Sequence, residues 1–447
     1  MNFDLVKESL RAQAERRGLS EYEIYFMESS ELSTEALKDE ISSFSSGVSG
    51  GVSFRCVVNG HIGNASTELL TAEEMEALVD RAIESAKWIE NNDKAILFDG
   101  VAEYATVENE DSFLTDTAKL KALALGIQKN TYAADECIAD GTQSGVFSNR
   151  VRMVLMNSKG LNLSHEASMS GAYTEAVIQK NGEAQEAFDF VLGTEEKDLR
   201  EISERAVREA NAKLGASEIE SGKYDVILCG KQMRSLLSAY SSVFSAKNAQ
   251  MGLSLLKGKE GEVIASEAVT LVDDPLRKNF PMSIPFDGEG VATYTKNVVE
   301  KGVLKTLLYD LATADRAGRA STANGQRSGY SSAVSIAPYS FYIASGELSD
   351  TALAERLGDG LYITELKGLH AGCNAVTGDF SIESAGFRVR NGVLCEAVKS
   401  FTVAGNFFDL LKEIEAVGDC VKFGIPSGFT VYGSPDVLIR SVSVAGK

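Results

Sequence analysis

One histidine of this chain is followed directly by a glutamate, and this His165-Glu166 pair could begin a metallopeptidase motif. In the HExxH motif, two histidines one helical turn apart bind zinc and the glutamate is the general base. The motif requires a second histidine at position 169, or at 170 with one more spacer residue, where the chain has Met169 and Ser170. Polar and apolar residues alternate around His165, which indicates a half-exposed strand histidine rather than a zinc ligand.

Two carboxylates, Asp287 and Glu289, lie two residues apart in the segment PFDGEG. On a strand, side chains two residues apart share a face, and two neighbouring carboxylates could work as general acid and general base. On a turn such carboxylates are usually solvated, and this second interpretation is the one we favour. Both residues remain candidates for contacting a substrate or a partner.

A second group of polar residues follows the segment GLHAGC, in which His370 and Cys373 are three residues apart. These two side chains would supply half of a metal site, so a surface histidine beside a cysteine on a glycine-rich turn is the simpler interpretation. The alternative is a groove for a substrate or a partner, because the intervening glycines let another backbone approach closely. The side chains that would line this groove are His370, Asn374, Thr377 and Asp379.

The elements that must position these residues follow an α+β pattern, with hairpins rather than regular βαβ units. Apolar residues at helical spacing predict helices over residues 3–17 and 196–214, and Thr117 is expected to cap another helix. Asn-Gly pairs at 59–60 and 391–392 follow alternating residues and predict hairpins with type I′ turns.

The polar, turn-rich run GASEIESG at residues 215–222 is the expected domain boundary. Before it, residues 1–215 are expected to form an N-terminal α+β domain of hairpins and helices. After it, short strands and glycine turns dominate, so residues 223–447 are expected to form a sheet-rich, partly closed, barrel-like domain.

Charge and composition restrict the function further. The chain of 447 residues has 44 Lys and Arg against 64 Asp and Glu, a net charge of −20, which disfavours nucleic acid and anionic membranes as partners. No apolar run approaches the ~20 residues of a membrane span, and the N-terminus lacks the pattern of a signal peptide. The six cysteines show no CxxC spacing, as in proteins with free thiols, so we expect a cytoplasmic protein.

Three ordered segments carry a family resemblance. They are NAVTGDFSIESAGFRVRNG with FTVAGN (374–392 and 401–406), PFDGEGVAT (285–293) and STANG (321–325). In order and spacing the chain resembles the TldD/PmbA family from about residue 223 to 446, and more loosely before that. The match is closer to the PmbA (TldE) branch, once named modulator of DNA gyrase, and the family is metallopeptidase-related.

In the TldD branch, a HExxxH helix and a cysteine near the C-terminus hold a zinc ion, and the resemblance maps that helix to residues 236–244. The positions of the two histidines and the glutamate fall on Ser238, Ala239 and Val243. None of these three side chains can do the work of a zinc ligand or a general base. The matching glycine-rich run, residues 423–428, has no cysteine. The resemblance therefore implies a chain with a degenerate motif that carries no metal or other cofactor and no catalytic residue.

The resemblance also implies partners. A TldE-type subunit would assemble with a TldD-type zinc metallopeptidase and guide extended peptide to its zinc, in proteolysis or in peptide maturation. Whether the isolated chain forms a homodimer is left open. The alternatives are an independent non-zinc hydrolase, or a binding protein that regulates a DNA enzyme or a toxin–antitoxin system.

Overall fold

The computed structural model describes residues 3–89, 94–101 and 103–447. The protein has the mixed α+β architecture that the sequence predicts. In chain order, its N-terminal half contains α1 (Phe3–Arg16), β1 (Tyr22–Leu37), β2 (Glu40–Val58), β3 (His61–Thr67), α2 (Ala72–Ala86), α3 (Thr117–Ala134), β4 (Gln143–Asn157), β5 (Asn162–Lys180), β6 (Glu183–Leu192) and α4 (Glu196–Ala212).

All six strands of this half form one antiparallel sheet in the order β3-β2-β1-β4-β5-β6. The predicted Asn59-Gly60 turn joins β2 to β3, with positive φ angles of 53° and 83°, as a type I′ hairpin requires. Helices α1 and α2 pack against the ends of β1 and β2 that include Ile24 and Phe54. Helices α3 and α4 cover one face of the distal part of the sheet.

The expected cap of α3 is wrong by one residue. The side chain of Asp116, rather than that of Thr117, accepts hydrogen bonds from the backbone N–H groups of Ala118 and Lys119, at 2.9 and 3.1 Å. A carboxylate at this position also interacts favourably with the positive end of the helix dipole, which explains why it takes the cap.

The C-terminal half contains many short elements. These are β7 (Gly222–Leu228), α5 (Gly230–Tyr240) with a 3₁₀ turn (Ser241–Phe244), α6 (Ala246–Gln250), β8 (Leu271–Asp273), β9 (Lys296–Glu300), β10 (Val303–Leu304), α7 (Leu311–Arg316), β11 (Gly325–Gln326), β12 (Ser335–Ile336), β13 (Ser340–Ile343), α8 (Asp350–Leu357), β14 (Gly360–Lys367), α9 (Leu369–Gly372), β15 (Asp379–Arg390), β16 (Val393–Asn406), α10 (Phe407–Lys412), β17 (Ile414–Val417), β18 (Lys422–Phe423), β19 (Val431–Ser434) and β20 (Val437–Ala445).

Five of these strands close into a barrel. The order is β16-β15-β14-β7-β20, and β20 pairs again with β16 through contacts such as Val403 with Val444. The barrel-like C-terminal half is thus confirmed, and the ring is complete. Asn391 and Gly392 form the predicted turn of its longest hairpin, with φ angles of 49° and 76°.

A second sheet lies beside the barrel, in the order β10-β9-β8-β13-β19-β18. Helix α5 packs its apolar face into the core shared by the barrel and this sheet. The fully buried residues of α5 are Met233, Leu236, Leu237 and Tyr240, at helical spacing. The opposite face of α5 is therefore free to line a site.

The two halves contact each other through a buried cluster that joins Tyr25 and Leu155 of the first sheet to Phe286 and Tyr339 of the second half. The domain boundary at residues 215–222 stays a prediction. In the part of the chain that the structure describes, no helix is both long and apolar enough to span a bilayer.

Candidate functional site

A cleft of about 540 Å³ opens beside the free face of α5. Its lining residues are Arg234, Ser235, Ser238 and Ala239 of α5, Leu369, His370, Cys373 and Ala375 of the α9 segment, and Gly424, Ile425 and Tyr432. Ser238 and Ala239, two of the positions onto which the resemblance maps the zinc motif, thus lie beside His370 and the glycine-rich run after residue 423. They are far apart in sequence and come from three different elements.

The start of α5 is fixed by a buried carboxylate. Asp436 accepts a hydrogen bond from the Gly230 N–H at 2.7 Å, and it also accepts one from the Tyr362 hydroxyl at 2.8 Å. The end of α5 is fixed by Tyr240, whose ring stacks on Phe407 with centroids 4.4 Å apart. Since both ends are held by buried groups, the cleft-facing side chains of the helix have a defined position.

The α9 segment brings His370 to the rim of the cleft. Gly368 precedes this single helical turn with a φ of 75°, a left-handed conformation that favours glycine. His370 is exposed and Cys373 is half-buried. Burial raises the pKa of the Cys373 thiol, so the group stays protonated and is a weak nucleophile.

The other three residues of the predicted groove hold the next turn together. The Asn374 side chain accepts from the Val376 N–H at 3.0 Å, and the Thr377 hydroxyl accepts from the Asp379 N–H at 3.3 Å. Asp379 accepts from the Asn406 amide at 3.0 Å, and this hydrogen bond lowers the pKa of its carboxyl. All three are exposed, but they are not among the residues that line the cleft. Their binding role stays a prediction.

The cleft residues do not fit a catalytic zinc ion. Ser238 and Ala239 face the cleft, whereas Val243 is fully buried in the core. That leaves His370 and Cys373 as the zinc-type donors at the cleft, fewer than the three protein ligands of a catalytic site. Within residues 3–89, 94–101 and 103–447, no group of three or more His, Cys, Asp or Glu side chains is arranged to hold a metal ion.

The favoured interpretation of Asp287 and Glu289 as solvated turn carboxylates is wrong. Asp287 is 0% exposed and Glu289 is 5% exposed. Asp287 accepts from the backbone N–H groups of Glu289, Val291 and Gly325 at 2.9 to 3.0 Å, and Glu289 accepts from the Leu311 N–H at 2.8 Å. The turn is folded inward because these backbone donors replace water around the carboxylates.

A buried ion pair lies near the two carboxylates. Arg327 donates to Glu23 of β1, and Arg55 lies 3.3 Å from the same carboxylate, so this network links the two halves of the chain. Burial raises the pKa of Asp287 to about 7 and, together with the charge of Asp287, raises that of Glu289 to about 8. Asp287 has three N–H donors and Glu289 has one, so the proton that the pair retains near neutral pH resides on Glu289.

His165 is the half-exposed strand histidine that the sequence predicts, on β5. Its Nε2 lies 2.9 Å from the carbonyl oxygen of Ser283, which identifies Nε2 as the protonated nitrogen. Burial lowers the pKa of the ring to about 4, so the ring is neutral at pH 7. Because Ser283 belongs to the C-terminal half, this hydrogen bond is another contact between the two halves.

Two cleft residues, Arg234 and Tyr432, have no signal in the sequence that marks them as functional. Arg234 lies one helical turn before Ser238, so extending the expected helix of residues 236–244 by one turn towards the N-terminus would place both residues on the same face. Tyr432 donates to the Ser241 hydroxyl at 2.9 Å from a strand nearly two hundred residues later, a contact that only the folded chain reveals.

Comparisons with known proteins agree with this architecture. Three family models match the chain: PmbA/TldA metallopeptidase domain 1 over residues 22–86, the central domain over 110–214 and the C-terminal domain over 221–446. The chain therefore belongs to the PmbA/TldD family. An uncharacterized protein of Methanocaldococcus jannaschii is 30% identical over 427 residues, which cover 93% of this chain and 96% of the relative.

Two solved structures have the same fold. A Thermotoga maritima protein proposed to modulate a DNA gyrase is 29% identical, with a TM-score of 0.89 over 99% of this chain and all of that one. TldE from Thermococcus kodakarensis has a TM-score of 0.88 over 98% of this chain and 99% of its own. Its identity is 22%, so this second likeness concerns the fold alone.

Proposed function

We propose that this chain is a zinc-free, TldE-type subunit that assembles with a TldD-type zinc metallopeptidase in the cytoplasm. In this complex the zinc belongs to the partner, and the present chain takes part in the proteolysis or maturation of peptides. The observation that carries the proposal is the cleft beside α5. It holds a hydroxyl and a methyl group, Ser238 and Ala239, where the resemblance places a zinc ligand and a general base.

The side-chain types explain why this cleft would bind rather than cleave. A serine hydroxyl is a poor zinc ligand at neutral pH, and alanine has no lone pair with which to take a proton. The cleft nevertheless keeps a volume of about 540 Å³ and a polar rim at His370. A subunit with these properties can hold a peptide segment while the chemistry occurs at the zinc of the partner.

An exposed strand edge supports a peptide ligand. Residues 40–51, the outer half of β2, pair with β1 on one side. On the other side, β3 pairs with β2 only from Val52 onward. Among the described residues no strand covers the other side of this segment, and residues 42–49 are exposed. An extended peptide can add to such an edge through main-chain hydrogen bonds, which tolerate many side-chain sequences.

The structure does not support the alternative of an independent hydrolase, because the two carboxylates that it would use are buried. Asp287 and Glu289 are buried and hydrogen-bonded to backbone N–H groups, so a substrate cannot reach them without rearrangement. No structural observation favours the regulation of a DNA enzyme or of a toxin–antitoxin system over the peptidase complex.

The test is reconstitution with a TldD-type chain, followed by light scattering, elemental analysis and a peptidase assay. The expected result is a complex with equal numbers of both chains, with zinc and activity in the complex and neither in this chain alone. About one tightly held zinc per isolated chain, lost in His370→Ala or Cys373→Ala, would overturn the proposal. So would the failure of the two chains to associate at micromolar concentrations.

A further inference from the structure

The charge of the cleft is opposite to that of the protein. The chain carries a net charge of −20, yet Arg234 is the one fully charged side chain among the described residues that line the cleft. The other lining residues are apolar or carry hydroxyl, thiol or imidazole groups. A single cation in a concave site, with no carboxylate beside it in the lining, attracts an anionic group.

Arg234 is held in place by the chain but is not neutralised by it. Its Nη1 donates to the carbonyl oxygens of Phe423 and Lys422, and a Cβ atom added at Gly424 would lie 3.4 Å from its Nε, so the glycine leaves this edge of the guanidinium open. Among the described residues, Nε and Nη2 have no hydrogen-bond partner, and neither atom is buried. The guanidinium therefore has a fixed orientation with donors still available.

The carboxylate whose charge acts on Arg234, that of Asp189, is already paired with other cations. Asp189 of β6 accepts a hydrogen bond from Arg205 and lies 3.9 Å from the Lys231 ammonium group. Two other cations thus share its charge. Arg234 is half-buried, so water solvates its guanidinium less than at an open surface, and this burial lowers the pKa of the group. An incoming anion would meet a partly desolvated cation, for which hydrogen bonds are strongest.

We propose that Arg234 binds a carboxylate group of an extended peptide in this cleft. The carboxylate is either the C-terminus of the peptide or the side chain of an Asp or Glu within it. The inference rests on the proposed function, since it names the part of the peptide that this subunit holds. Arg234 is a binding residue and takes no part in the chemistry at the zinc of the partner.

A row of aromatic rings starts at Arg234 and suits the rest of such a peptide. The guanidinium lies 5.7 Å from the centroid of the Phe190 ring. The Phe190 and Phe188 rings are 6.2 Å apart, and the Phe188 and Tyr173 rings are 5.7 Å apart. Phe188 is 44% exposed, so apolar peptide side chains can pack on this row while the carboxylate contacts the arginine.

The experiment measures fluorescence anisotropy with the full-length protein and three labelled hexapeptides of alanine, valine and phenylalanine. The first ends in a free carboxylate, the second in an amide, and the third in an amide with one internal glutamate. We expect the free acid to bind about tenfold more tightly than the plain amide, because one charged hydrogen bond is lost with the amide. A glutamate peptide as tight as the free acid would identify a side chain as the natural source of the carboxylate, and a weak one would identify the C-terminus.

The variant Arg234→Gln should abolish the preference for the free acid. Its matched control is Arg208→Gln, which removes an equal charge from the exposed face of α4. The comparison of acid with amide on the unchanged protein does not depend on the folding of any variant. Equal affinities for acid and amide would overturn the inference and leave peptide binding, and so the proposed function, intact. A preference that survives in Arg234→Gln would also overturn it, and so would no binding of any probe by the unchanged protein.

Discussion

Asp436 and Gly230 are joined by a 2.7 Å hydrogen bond from the backbone N–H of the glycine to the carboxylate. The carboxylate lies just before β20, and the glycine is the first residue of α5. Asp436 also pairs with the Lys422 ammonium group at 2.5 Å, next to the run that forms one wall of the cleft. One buried side chain thus positions two of the elements that line the site.

The variant Asp436→Ala should therefore lower the free energy of unfolding by roughly 2 to 4 kcal/mol, since it removes several hydrogen bonds and leaves Lys422 without this partner. Urea unfolding measures the change. Asp409→Ala is the matched control, because that side chain is 76% exposed and pairs with Lys412 at the surface. A loss no larger than that of the control would show that Asp436 does not hold the two elements.

Local features of the fold could be predicted from the sequence because their causes are local. The Asn391-Gly392 turn follows from two residues that tolerate positive φ, and the α+β class follows from apolar periodicity. Closure of the barrel could not be predicted, because β16 and β20 pair across a separation of about forty residues. No neighbouring residue indicates which strand completes the ring.

The site shows the same division between local and distant causes. The family resemblance located Ser238, the His-Cys spacing in GLHAGC located His370, and both residues lie at the cleft. The burial of Asp287 could not be predicted, since one of its donors is the N–H of Gly325, 38 residues later. Arg234 was missed because its character depends on the Phe423 carbonyl and on a cleft lining without Asp or Glu, which are properties of the folded chain.

The buried carboxylate pair predicts an unusual dependence of stability on pH. In the unfolded chain both groups lose their protons near about pH 4. In the folded protein their pKa values are raised to about 7 and about 8, so the folded state binds more protons over this interval. The contribution of the pair to stability is thus complete below about pH 4 and falls as the pH rises through about 7 to 8.

Glu289→Gln should make the fall with pH shallower by on the order of 1 kcal/mol per pH unit, since it removes one titrating group. His165, with its pKa lowered to about 4, acts in the opposite direction below its ordinary value. Urea unfolding should therefore be compared between about pH 6.5 and about pH 8.5. Glu262→Gln, at a surface ion pair with Lys259, is the control. Parallel curves for the two variants would contradict the assignment of the proton to Glu289.

Variants of the α9 segment and of the turn after it should distinguish a role in peptide binding from a role in stability. His370 is exposed at the rim of the cleft, whereas the Asp379 carboxylate accepts from Asn406 within the turn. Both lie at the surface, so His370→Ala and Asp379→Ala should each change the free energy of unfolding by less than ~0.5 kcal/mol.

In a complex reconstituted with a TldD-type partner, we expect His370→Ala to weaken peptide cleavage through a higher KM. If the cleft alone binds the peptide, Asp379→Ala leaves cleavage unchanged, because its side chain is not part of the cleft lining, whereas the groove predicted from the sequence implies a loss in this variant too. Full activity of His370→Ala would show that the cleft does not hold the peptide, and a loss in Asp379→Ala alone would move the binding surface to the turn.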